Sequence, residues 1–456
     1  MKKIIRIVFV QIFVLGFMNT SYAQMQGLIM SNSERILLST YVDNVDNMFT
    51  ISKKLSNYEI ITSYKDYSGI QCFCLTKIGT IPTIVSQIFT NLIIYDFEIK
   101  DGIVFLCGKG ANGGFIGFIS VADMFSNPIY KIEYIPNTQV VYDIDVYVDN
   151  NNSIKIGALA FANNYYYIDY NFSNGNTYSV LETPLTLLGI THTDNYVEVL
   201  CMKDKFTFGL FSHNKNNILQ YNNRMYILPN NAFEFHNHYG CVPQDNIPRC
   251  FIESIPHSDN VVIALGVQDY ILNLANGYNV CLFDINAQSL TLNTAKTIPT
   301  HGKPQIKDLK YDYNDNTFLL PTNVDFQLPN SATRYYVRDF IFKLPITTQQ
   351  TTYQCELIMP NNSRDFKESL NSVVLYDENH YLVSGFDENN NSLYFFDRNE
   401  AHPVARCATS FNLDVLPYTL NNNGSISYTS NMTYYKSPIT LSGVITTQIL
   451  NTSCQY

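Results

Sequence analysis

Apolar runs and short polar clusters alternate along this chain in one recurring unit: an apolar strand, an Asp/Asn/Gly turn, and a second apolar strand. The clearest copy is Phe97-Glu98-Ile99-Lys100-Asp101-Gly102-Ile103-Val104-Phe105-Leu106-Cys107-Gly108. Comparable turn clusters stand at Asp66 to Gly69, Asp149 to Ser153, Asp194-Asn195, Asp259-Asn260, Asn314 to Asn316, Asp377 to Asn379 and Asn421 to Gly424. Each is followed by a dense apolar strand, such as Val261-Val262-Ile263-Ala264-Leu265-Gly266. Asp-Gly and Asn-rich pairs accept the positive φ angles that tight hairpins require. A strand–turn–strand unit cannot cover its own two apolar faces, so the copies must stack on one another.

Three or four strands in every stretch of roughly 45–65 residues is the size of a propeller blade. Strands that are apolar on both faces suit a blade packed between two neighbours, whereas a row of sandwich domains predicts clean alternation and intervening linkers. The pattern therefore predicts an all-β chain folded as a β-propeller of seven blades, with six or eight as the alternatives. A hairpin around Ile36 to Ile51 is expected to supply strands to the last blade, near Leu413 to Val444. That would close the ring and make residues 24–456 one domain.

Composition agrees with strands. Tyr (34) and Phe (29) are plentiful, and no long stripe at helical spacing follows the N-terminal segment. No blade signature of a named kind is present, since the chain contains no Trp.

The N-terminus changes the setting. Lys2, Lys3 and Arg6 form a basic head, Ile4 to Met18 is an apolar run, and Ser21-Tyr22-Ala23 supplies small residues before a cleavage point between Ala23 and Gln24. This is the pattern of a secretory signal peptide over residues 1–23, too short for a comfortable membrane span. The expected location is secreted, periplasmic or cell-surface, in a Gram-negative bacterium, with no membrane span after processing. Removing residues 1–23 takes away three basic and no acidic residues and leaves 26 Lys+Arg against 39 Asp+Glu, a formal charge of −13. That surface is unsuited to nucleic acid, which needs a basic footprint.

In general layout the chain resembles uncharacterised secreted bacterial proteins with propeller-like repeats. The resemblance rests on the signal peptide and on the repeated hairpins at Tyr95 to Gly108 and Tyr142 to Ala158, and it implies no activity.

All ten cysteines lie beyond the signal peptide. Cys241 and Cys250 flank a Pro-containing stretch and are expected to close it with a disulfide. Cys407 and Cys454 form a second candidate pair at the C-terminus. Cys107 and Cys201 occupy equivalent places in their repeats and read as small buried apolar residues. Cys72 and Cys74 lack a second pair at zinc spacing.

Candidate chemistry is sparse. In Glu234-Phe235-His236-Asn237-His238, an extended backbone would turn Glu234, His236 and His238 to one side, a set able to hold a divalent metal or to serve acid–base work. The alternative is an ordinary surface cluster. Gly108 to Gly113 has the letters of a dinucleotide fingerprint but precedes a strand pattern, so it reads as a hairpin loop. The Asp/Asn clusters at Asp43 to Asn47, Asp312 to Asn316 and Asp387 to Asn391 could suggest calcium but read better as turns. No cofactor is therefore expected, with calcium or zinc as the alternatives. Tyr165-Tyr166-Tyr167, Tyr335-Tyr336 and Tyr434-Tyr435 are expected to alternate between core and surface. The sequence favours a non-catalytic module that binds an extracellular protein, peptide or glycan on one ring face. The alternative is a hydrolase or lyase acting on an extracellular polysaccharide or peptide, with Glu234, His236 and His238 at the channel mouth.

Overall fold

A computed structural model describes residues 35–40, 51–57, 59–65, 71–77, 83–89, 92–124, 130–173, 177–228, 233–235, 250–269, 278–300, 304–327, 335–345, 352–357, 369–378, 380–387, 390–397, 408–413, 416–417, 421–423, 429–434, 439–441 and 444–449. They are almost wholly β, with one short helix, α1 (Val121–Met124), whose first turn is held by Ser120 Oγ accepting the Asp123 N–H at 3.1 Å.

The hairpins follow from the turn residues. At Asp101-Gly102 both residues have positive φ, 50° and 73°, the backbone of a two-residue hairpin turn that matches strand twist. Asn137, Asn152, His257 and Asn316 also sit at positive φ, as short polar residues tolerate.

The described strands form seven antiparallel sheets. Strand β1 (Arg35–Thr40) stands apart from the runs that follow. Strands β2 to β5 are Ile51–Ser56, Glu59–Lys65, Gln71–Lys77 and Thr83–Phe89. Strands β6 to β9 are Ile93–Lys100, Ile103–Gly110, Gly113–Ser120 and Tyr130–Tyr134. Strands β10 to β13 are Val140–Val148, Ile154–Phe161, Tyr165–Asn171 and Thr177–Thr183. Strands β14 to β17 are Thr186–His192, Tyr196–Asp204, Thr207–Asn214 and Asn217–Ile227. The next sheet places β18 (Phe233–Phe235) and β19 (Phe251–Ser254) along one edge of β20 (Asn260–Asp269), followed by β21 (Tyr278–Asn286) and β22 (Thr291–Thr300). The sixth places β23 (Pro304–Ile306) and β24 (Lys310–Asp312) along β25 (Thr317–Gln327), then β26 (Tyr335–Pro345) and β27 (Thr352–Leu357). The last consists of β28 (Ser369–Leu375), β29 (His380–Asp387) and β30 (Asn390–Asp397), with β1 as its fourth strand.

The first strand of each sheet packs on the first strand of the next. β2 meets β6, β6 meets β10, β10 meets β14 and β14 meets β19; β19 touches β24, β25 and β24 meet β28, and β28 returns to β2. The sheets thus close a circle around their first strands, the propeller arrangement that the apolar pattern predicts. The cores lie between successive sheets. Val104 and Leu106 of β7 face Phe73 and Leu75 of β4, while Phe105 and Cys107, which point the other way, join Ile144, Ile156 and Ala158 of the following sheet. This is why β7 is apolar at successive positions from Ile103 to Cys107: both of its faces are covered.

The seam differs from expectation. β1 pairs with β30, residues 390–397, and not with the stretch from Leu413 to Val444. That stretch belongs to a C-terminal segment with another role. Its strands β31 (Ala408–Leu413), β32 (Leu416–Pro417), β33 (Asn421–Asn423), β34 (Thr429–Tyr434), β35 (Ile439–Leu441) and β36 (Val444–Ile449) pair in turn with β27, β22, β17, β13, β9 and β5. The segment therefore runs back around the circle, adding one strand to the outer edge of six sheets.

Candidate binding site

The first strand of several sheets departs from the all-apolar pattern just before its turn. It alternates polar, apolar, polar: Asp96-Phe97-Glu98, Asp143-Ile144-Asp145, Asp308-Leu309-Lys310. Alternation sends the middle residue into the wall and the flanking pair toward the ring axis.

The first polar position ties neighbouring sheets together. Asp96 accepts the Phe97 N–H at 2.9 Å through Oδ1 and the Ile144 N–H of the next sheet at 3.3 Å through Oδ2. Asp143 Oδ2 accepts the Ile190 N–H at 3.2 Å. Asp308 repeats the Asp96 geometry, with Leu309 N–H at 2.8 Å on Oδ1, and Val373 N–H at 2.9 Å and Ser372 Oγ at 3.0 Å on Oδ2. Ser372 Oγ then accepts the Ser52 N–H at 3.3 Å. A register shift in the strand immediately precedes Asp96, Asp143, Gly189 and Ser372. Such bulges re-aim the side chain that follows. At Gly189 no side chain fits, because a Cβ would lie 2.5 Å from the Cys250 carbonyl oxygen; here the tie is backbone, Cys250 N–H to Leu188 O at 2.9 Å.

The second polar position lines a central cavity of about 330 Å³, to which first strands or their flanking residues in all seven sheets contribute. Lys53, Glu98, Asp145, Thr191, Glu253 and Lys310 face it, with His192 beside them. Lys53 is ion-paired with Glu98 across one sheet boundary, and Lys310 with Glu253 at 3.1 Å across another. His192 Nδ1 lies 2.6 Å from Asp145 Oδ2 across a third. Burial alone would lower the Lys310 ammonium, but Glu253, Asp308 and Glu98 outweigh it and raise its pKa; Lys53 is raised in the same way, chiefly by Glu98. Burial would raise Asp145, yet His192, Lys310 and Lys53 together hold its carboxyl below the ordinary aspartate value. Lys310 acts on Glu98 and Asp145, each three sheets away around the circle, so these groups form one coupled ring and not three separate pairs.

Of the residues singled out from the sequence, Glu234 lies in β18, its backbone opposite Gln268 at the inner edge of β20. His236 and His238 lie outside the described residues, as do Ala23, Gln24, Cys241, Cys407, Cys454 and the cluster from Asp43 to Asn47. Cys250 is buried against the cavity wall. Cys107 and Cys201 are fully buried, as small apolar residues would be. Gly108 to Gly113 falls in the β7–β8 hairpin, not at a helix N-terminus. The Asp312 cluster is a turn in which Asp312 Oδ1 accepts the Asn314 N–H at 3.0 Å and Tyr311 OH donates to Asn316 Oδ1 at 2.6 Å. Tyr167 is fully buried while Tyr165 and Tyr166 are half-buried. Among the described residues, no group of three His, Cys, Asp or Glu is placed to hold a metal ion, and no helix is long and apolar enough to cross a membrane.

The charged ring carries no sequence motif, because its members come from six separate sheets. Its trace in the sequence is the polar–apolar–polar triplet that precedes an Asp/Asn turn.

No family model and no curated protein matches this chain. Among solved structures it is similar to the polysaccharide lyase Uly1, with a TM-score of 0.43 and 9% sequence identity, over 79% of this chain and 92% of that one. Likeness at that level transfers nothing about activity.

Proposed function

We propose that this chain is a secreted, non-catalytic binding propeller, each of its seven sheets counting as one blade, that recognises a protein, peptide or glycan at one end of the ring. The supporting observation is the convergence of charged side chains of both signs, from separate sheets, on a single axial cavity. Its volume of about 330 Å³ stands at the lower end of small-ligand pockets. It takes one sugar unit or one side chain, so a longer ligand lies on the ring face and inserts a single residue. Carboxylates that accept and ammonium groups that donate, held in fixed places, suit a hydroxyl-rich or zwitterionic group.

The test is binding to glycan and peptide arrays followed by calorimetry on the best ligand, with and without chelator. Lys310→Met and Glu98→Gln are each expected to weaken binding at least tenfold, and chelator is expected to change nothing. Affinity untouched by both substitutions would remove the cavity from the reading. The same incubations, analysed for shortened products, address the hydrolase or lyase alternative. Product formation that Glu234→Gln or His236→Ala abolishes would replace the binding reading with an enzymatic one.

A further inference from the structure

The C-terminal segment is laid on a ring that is already complete. Without it, each of the six sheets it joins still has at least four strands, and the seventh has its fourth strand from β1. The segment contributes six short pairings, of two to six residues each, all antiparallel and all on the outermost strands β27, β22, β17, β13, β9 and β5. Among the described residues it makes no pairing with the first strands around which the circle closes. Remove it, and those six outermost strands present unpaired N–H and C=O groups at the rim, which is the property of a strand acceptor.

We propose that the six outer edges form a strand-docking track, filled in the isolated molecule by residues 408–449 of the same chain and open to the same segment of a second copy. Each short pairing is weak alone, so the segment holds by the summed effect of several, and within one molecule tethering favours its own track. At high protein concentration the track of a neighbour competes, and copies join by exchanging this segment, a route to dimers that needs no new interface chemistry.

The test uses the full chain carrying a protease site within residues 398–407, cleaved after folding. A fluorescent peptide of residues 408–456, added in molar excess, is expected to replace the resident segment while the far-ultraviolet spectrum and thermal transition of the remainder persist. Failure of the labelled peptide to enter, even on warming to just below that transition, would overturn the proposal. Unfolding of the ring when the segment leaves would overturn it too, since the outer strands would then belong to the ring's own stability. Copy-to-copy exchange is read separately in uncleaved Ser179→Cys/Thr433→Cys protein, whose two substituted positions are opposite one another in the β13–β34 register. The bond joining these two cysteines, located by peptide mapping, is expected within one chain in dilute solution and increasingly between chains on concentration. A bond confined to one chain at every concentration would rule out the second copy as occupant.

Discussion

His213 is a base enclosed in rings. Tyr167 lies 4.8 Å away between centroids, Tyr221 5.2 Å and Phe211 6.3 Å, and the residue is wholly buried. Its Nδ1 lies 2.8 Å from the Ile218 carbonyl oxygen, which can only accept, so Nδ1 carries the proton of a neutral imidazole. Burial pushes its pKa down to about 4, against which that hydrogen bond works only in part. The unfolded chain takes up a proton near pH 6.5 and the folded one does not until near pH 4, so the unfolded state gains as pH falls between those values. Stability is full above about pH 6.5, and the loss, up to about 3 kcal/mol, is complete near pH 4. Urea midpoints across that window should therefore shift less with pH in His213→Phe, which keeps a ring and removes the proton site. An unchanged slope would place the pH response elsewhere. In the sequence, His213 is one of eight histidines with nothing to distinguish it; its state comes from Phe211 on its own strand, Ile218 and Tyr221 on the adjoining strand and Tyr167 of the neighbouring sheet.

At the scale of the strand, sequence and structure agree where the cause is local. The Asp101-Gly102 turn and the apolar strands on either side form β6 and β7 because the turn residues accept positive φ and the strand residues favour a buried pleat. What the strand pattern hid is the work of its polar positions. Asp96, Asp143 and Asp308 read as interruptions in apolar runs, and nothing within ten residues of any of them indicates a partner about 47 or 65 residues on, as Ile190 is to Asp143 and Val373 to Asp308. The side chains that make up the cavity are invisible for the same reason, whereas the Glu234 to His238 cluster stood out only because its members are adjacent in the chain. Asp143→Ala removes the acceptor from the Ile190 N–H at a buried sheet boundary, and an orphaned buried donor costs about 1–3 kcal/mol. Asp143→Asn retains an acceptor oxygen and should recover most of that loss. Equal destabilisation by both, measured by urea unfolding, would show that the negative charge and not the hydrogen bond is what the boundary needs.

Over the whole molecule, two separate devices close the circle, and they are distinguishable. One is packing: β2 lies against β28, with the Ser52 N–H on Ser372 Oγ. The other is strand pairing: β1, the first strand in the described chain, runs antiparallel to β30 from Arg35 opposite Tyr394 to Thr40 opposite Asn390. Deleting residues up to 40 takes away the second and leaves the first. The ring should stay folded, because the packing of β2 on β28 and the axial ties at Asp96, Asp143 and Asp308 remain. The seventh sheet, however, would be reduced to three strands with β30 as a bare edge, and among the described residues it receives no strand from the C-terminal segment to compensate. Bare edges recruit other chains, so the deletion variant should elute as concentration-dependent oligomers while keeping a cooperative thermal transition. Ser392→Lys, placed on that edge opposite the missing Leu37, should return it toward the monomer, since an edge lysine disfavours strand addition. A deletion variant that unfolded outright would mean that packing of β2 on β28 is too weak to hold the ring, and that the N-terminal strand is part of the closure itself.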